Sequence, residues 1–90
     1  MAEASTIAAI THELYFVEGF ARTAQLAYSA GNATRGKDAL RNAWRAWERA
    51  ARSVLRHEAE TLYPKLLELE ALLHGLEGRS PKSNRFTATI

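Results

Sequence analysis

Ninety residues with a formal net charge of +2 and no cysteine leave room for one small domain. A chain this short buries only about 60 to 65% of its unfolded surface, so a second core is excluded. The missing thiols exclude a disulfide framework and a thiolate zinc site. The start "MAEASTIAAI" lacks the basic opening of a signal peptide, and no apolar run approaches the roughly 18 residues that span a bilayer. These features predict a soluble, cytoplasmic protein with no membrane role.

Alanine, leucine, arginine and glutamate dominate and proline occurs twice, which predicts an all-α chain up to Gly78. In the first predicted helix, from about Ser5 to Ala30, Ile7, Ile10, Leu14, Val17, Ala21, Ala24 and Tyr28 recur in steps of three and four. That heptad seam suits a long helix packed at a shallow angle on another. A second apolar line, Ala9, Phe16, Phe20 and Ala27, lies about 110° around the same helix. One partner helix is not expected to cover both lines.

"SAGNAT" breaks the pattern. Gly31 or Asn32 can take the left-handed closing conformation, and Thr34 can cap the next helix. So short a turn makes the two helices antiparallel. The second helix is expected from about Arg35 to at least Tyr63, where Pro64 removes a backbone donor and forces an end or a kink. Leu62, Leu66, Leu69, Leu73 and Leu76 keep helical spacing through the proline, which favours a kink or tight restart over a loop. The expected domain is residues 1–78. Residues 79–90 read as a basic tail, flexible or docking on a neighbour, with Arg79, Lys82 and Arg85 as its charges.

Charge is distributed in blocks. Residues 1–34 carry one arginine and three glutamates, residues 35–56 seven basic and two acidic groups, and residues 57–77 one lysine against five glutamates. Such segregation favours pairing between segments or with a partner. With the surplus apolar line, it leads us to expect a dimeric helical bundle. The monomeric alternative folds residues 64 to 76 back over the phenylalanines.

Candidate functional residues concentrate on the second helix. Arg41, Arg45, Arg49, Arg52 and Arg56 fall within an arc of roughly 80° at 3.6 residues per turn. Trp44 and Trp47 lie on the other side. As a nucleic-acid surface the stripe would follow phosphates, but aromatics are not interleaved with it to stack on bases. As a solvated face it would form Glu48–Arg52 and Arg56–Glu60 pairs at four-residue spacing. As a protein interface it would use the planar arginine fork, which holds carboxylates well and is weakly hydrated. Trp44, Trp47, Phe16 and Phe20 are dense aromatic material for such an interface or for the core, where the Trp44 indole N–H would need a partner.

Metal and catalytic chemistry find little support. His12, His57 and His74 do not stand at the spacing of a zinc or di-iron motif, although Glu70 and His74 are one turn apart. Asp38 is the one aspartate, placed where a carboxylate meets a helix dipole favourably. We therefore expect no metal, no cofactor and no enzyme activity. The expected function is that of a small bacterial or phage regulator that binds and inhibits or modulates another protein, such as an antiactivator or inhibitor of a transcription factor. The alternative is a nucleic-acid-associated protein using the arginine-lined face.

Overall fold

The computed structural model describes residues 3–78; the expected basic tail lies outside them. Three helices follow one another: α1 (Ala4–Ser29), α2 (Ala33–Arg56) and α3 (Tyr63–Glu77), the last preceded by a single 3-10 turn, Glu60–Leu62. Among the described residues the fold is all-α, and α1 and α2 pack closely as an antiparallel hairpin.

The hairpin seam is made largely of alanine. Ile10, Leu14, Val17, Ala21 and Ala24 of α1 are buried against Ala39, Leu40, Ala43, Ala46, Ala50 and Val54 of α2. Small side chains on both sides of a contact favour the short end of the usual interaxial range of about 8–10 Å. Close approach also explains the fate of the second apolar line. Its Ala27 is buried and its Phe20 packs on the core, whereas Ala9 and Phe16 remain exposed. Most of the first line and the C-terminal half of the second are thus buried or packed on the core.

At the first turn, Gly31 takes the left-handed conformation (φ 79°). Asn32 N–H donates to the Ala27 carbonyl at 2.8 Å and Gly31 N–H to the Tyr28 carbonyl at 3.1 Å, the double closure of a Schellman stop. The cap of α2 is Asn32, whose side-chain oxygen accepts from Arg35 N–H at 3.1 Å. Thr34, expected in that role, lies inside the helix. Asn32 follows the left-handed glycine directly, so it reaches the free N–H groups first.

The second break differs from expectation. α2 stops at Arg56, seven residues before Tyr63. Glu58 is left-handed (φ 53°), Ala59 N–H donates to the Val54 carbonyl at 3.0 Å and Glu58 N–H to the Leu55 carbonyl at 3.4 Å. This is the Schellman pattern again, with glutamate in the glycine position and with Ala59 and Val54 both buried, the apolar contact that accompanies such a stop. Pro64 therefore bends nothing. It sits in the first turn of α3, where its missing N–H has no helical acceptor to lose and its fixed φ suits the helix. The tight restart holds, displaced toward the N-terminus.

α3 buries Leu66, Leu69, Leu73 and Leu76 on the hairpin. Its flank is fixed by two contacts: Trp47 Nε1 of α2 donates to the Leu66 carbonyl at 2.8 Å, and Lys65 Nζ lies 3.5 Å from Glu18 Oε1 of α1. α3 consequently covers the tryptophans. Phe16, which the monomeric alternative placed under this segment, stays 50% exposed.

Candidate functional site

All five stripe arginines lie on α2, and all are exposed. They occupy the face opposite Ala43, Ala46, Ala50 and Val54, each of which is fully buried. One edge of the stripe is tied to α1, where Arg49 Nε donates to Glu13 Oε1 at 2.7 Å. On α1, Glu13, Phe16 and Phe20 stand at i, i+3 and i+7, one strip of the helix surface. The Glu13–Arg49 bond therefore places that strip alongside the arginines. His12 adds to it, with its ring edge-on to Phe16 at 5.1 Å between centroids.

The charge on this face is poorly compensated from within. Arg41 Nη1 reaches Asp38 Oδ1 only at 3.8 Å, with both side chains about two-thirds exposed, a geometry that contributes little. Among the described residues Arg45, Arg52 and Arg56 have no carboxylate partner. The expected Glu48–Arg52 pair does not form, and Arg56–Glu60 is precluded because Glu60 lies beyond the end of α2. Glu18, a second possible partner for the stripe, pairs with Lys65 instead.

Trp44 and Trp47 lie away from this face. Their rings meet edge-on at 5.6 Å, the Trp44 ring packs on His74 of α3 at 4.9 Å, and Trp47 rather than Trp44 uses its indole N–H. Both are partly buried against the core. Phe16 and Phe20 lie on the strip of α1 that carries Glu13, the partner of Arg49, and the two tryptophans are set between α2 and α3. A role for the indoles in joining the helices accounts for every contact they make here.

Nothing in the described residues gathers three His, Asp or Glu side chains as a metal site. His74 Nδ1 lies 3.1 Å from Glu77 Oε1 rather than from Glu70. A shallow groove of about 350 Å³, lined by Ser5, Thr6, Ile10, Glu13, Ser53 and His57, opens where α1 begins and α2 ends, beside the Glu13–Arg49 bond. No described helix is long and apolar enough to cross a membrane.

Spacing did not single out five exposed apolar residues: Leu55 of α2, Leu67 and Leu72 of α3, and, on α1, Tyr15 and Leu26, which are 64% and 65% exposed. The two on α1 lie outside the heptad seam and the second line, and their separation of eleven residues, about three helical turns, was the available signal. The chain matches no protein-family model, no curated protein and no solved structure.

Proposed function

We propose that this protein is a small non-enzymatic regulator that binds another protein and inhibits or modulates it, as an antiactivator of a transcription factor does. The docking face is the stripe Arg41, Arg45, Arg49, Arg52 and Arg56 with Phe16 and Phe20 beside it. The observation that carries this reading is the presence of Arg45, Arg52 and Arg56 without carboxylate partners among the described residues, next to a half-exposed phenylalanine. Arginine binds carboxylates in two places at low desolvation cost, and an aromatic anchor inside a polar rim is the usual anatomy of a binding hot spot. The complementary surface is an acidic amphipathic segment, its carboxylates on the arginines and its apolar side on Phe16.

Capture of partners by the tagged protein from a bacterial lysate, with and without nuclease, tests the proposal. The expected result is a stoichiometric protein that survives nuclease, is weakened by Arg45→Glu with Arg52→Glu, and is lost with Phe16→Ala. These positions are exposed, so the variants keep their fold. Nucleic acid that leaves as salt rises, with no retained protein, would transfer the arginine face to phosphate binding.

A further inference from the structure

We infer that the outer face of α1 is the interface with a second copy of this chain, the two α1 helices lying antiparallel with Tyr15 of each copy seated on Gly19 of the other. Ala8, His12, Tyr15, Gly19, Arg22 and Leu26 are all exposed and follow one another at steps of four and three. They line one strip of α1 on the side away from α2, and Gly19 and Arg22 also border a shallow groove whose other wall is Leu72 of α3. From Ala8 to Leu26 the strip runs about 27 Å at 1.5 Å per residue.

Charge selects the occupant. A two-fold interface brings a patch onto itself, so two arginine stripes would repel, and a copy cannot dock there. The α1 strip carries one charged residue, Arg22, and places two large apolar side chains in solvent, Tyr15 and Leu26. Shape selects the register. Gly19 sits in mid-helix, where glycine is unfavourable, and a Cβ built on it meets nothing within 4 Å. The chain's own packing therefore gives no reason for a glycine there. The reason within α2 for Gly36 is plain by contrast: the Tyr28 ring lies on it, 2.6 Å from where a Cβ would be. Tyr15 precedes Gly19 by four residues, so an antiparallel mate centred near Val17 puts each tyrosine on the other copy's glycine, repeating the Tyr28–Gly36 contact twice. The same register sets Ala8 against Leu26 and Arg22 against His12, whose ring offers the guanidinium a plane to stack on. Gly75 of α3 is equally open, but the residue four before it is Ala71, which has no ring to seat.

The interface meets the arginine and phenylalanine face at His12 alone, and its test, the mass of the purified chain, does not depend on partner capture. Sedimentation equilibrium of the full chain over a wide concentration range is expected to give twice the 10.0 kDa chain mass at the upper end, unchanged in 1 M salt, because the strip is nearly uncharged. Tyr15→Ala is expected to raise the dissociation constant at least tenfold. Gly19→Ala separates interface from fold: alanine fills the seat and weakens the dimer at least tenfold, while raising the melting temperature measured at dilutions where the chain is monomeric. Mixed Ala8→Cys and Leu26→Cys chains, otherwise free of cysteine, are expected to form the mixed disulfide in preference to either symmetric one. A chain that stays at the monomer mass at hundreds of micromolar overturns the inference. So does a dimer that dissolves in 1 M salt, or one indifferent to both Tyr15→Ala and Gly19→Ala.

Discussion

The hairpin turn supports a quantitative prediction at Gly36. A Cβ there would stand 2.6 Å from Tyr28 Cε1, 2.7 Å from Cδ1 and 2.8 Å from Cζ, against an ordinary carbon–carbon contact of about 3.5–4.0 Å. The nearest atoms belong to a ring packed on the core, so Gly36→Ala requires the ring or the helix to move. Overpacking of this kind costs about 1–3 kcal/mol. Alanine in place of a helical glycine returns up to about 1 kcal/mol. The expected net effect is destabilisation by up to about 2 kcal/mol in the natural sequence. With Tyr28→Ala already present the clash is gone, and the same Gly36→Ala change is expected to stabilise by about 1 kcal/mol. The sign should invert between backgrounds, with a coupling free energy of about 1–3 kcal/mol. Urea denaturation of the four chains, followed by circular dichroism at 222 nm, measures it. If Gly36→Ala stabilises equally in both backgrounds, the close approach of Tyr28 to α2 is refuted and the glycine has no packing role.

Three further outcomes are expected from local chemistry. The Tyr28 hydroxyl is buried with no hydrogen-bond partner, so Tyr28→Phe should stabilise by about 1 kcal/mol, because an unpaired buried polar group costs about 1–3 kcal/mol; an unchanged urea midpoint would show that the hydroxyl is solvated. Trp47→Phe removes the 2.8 Å bond to the Leu66 carbonyl and part of the indole's packing, and should destabilise by about 2 kcal/mol. Hydrogen exchange should quicken in α3 first, and uniform acceleration along all three helices would contradict the pinning of α3 by this indole. Glu58→Gly relieves a left-handed glutamate (φ 53°) at a position where L-residues lose about 1–2 kcal/mol; a midpoint that falls by that amount would mean that the contacts of the Glu58 side chain outweigh its backbone conformation.

Periodicity made much of this fold legible. Five of the seven predicted seam residues of α1, Ile10, Leu14, Val17, Ala21 and Ala24, are buried, with Ile7 and Tyr28 packed beside them, because a 3.6-residue repeat forces such a line onto one side. The leucines of α3 were legible for the same reason. The end of α2 was not, because left-handed stops are normally signalled by glycine and "LRHEAE" offers none; left-handed Glu58, two backbone bonds and the buried pair Val54 and Ala59 close that helix instead. Pro64 drew attention to the wrong place, since the residue that ends helices when internal is well suited to starting them. The site divided along the same lines. Helical spacing located the arginines on one exposed face, but which flank of the hairpin α3 would cover depended on tertiary contacts such as Trp47 to Leu66. Spacing alone therefore left Phe16 and the tryptophans as equal candidates.

The three helices differ in how much they ask of their surroundings. α2 has its arginines and its alanines on opposite faces, so contact with α1 through the alanines and with α3 through the tryptophans covers most of its apolar surface. α1 has no such division: beyond the buried seam it carries Tyr15, Phe16 and Leu26 in solvent among its polar residues, and covering those side chains would add to its stability. An alanine seam cannot make up the difference internally. Apolar burial is worth about 25 cal/mol per Å², and alanine has little area to bury, so the hairpin draws its strength from the leucines of α3 and from close backbone approach. α3 packs on both α1 and α2, and Tyr15, Phe16 and Leu26 of α1 stay outside. If a second copy covers them, the stability of the fold must rise with protein concentration, since association that favours the folded chain adds to its unfolding free energy by mass action. The melting temperature of the natural chain should then climb on concentration, while that of Tyr15→Ala stays flat.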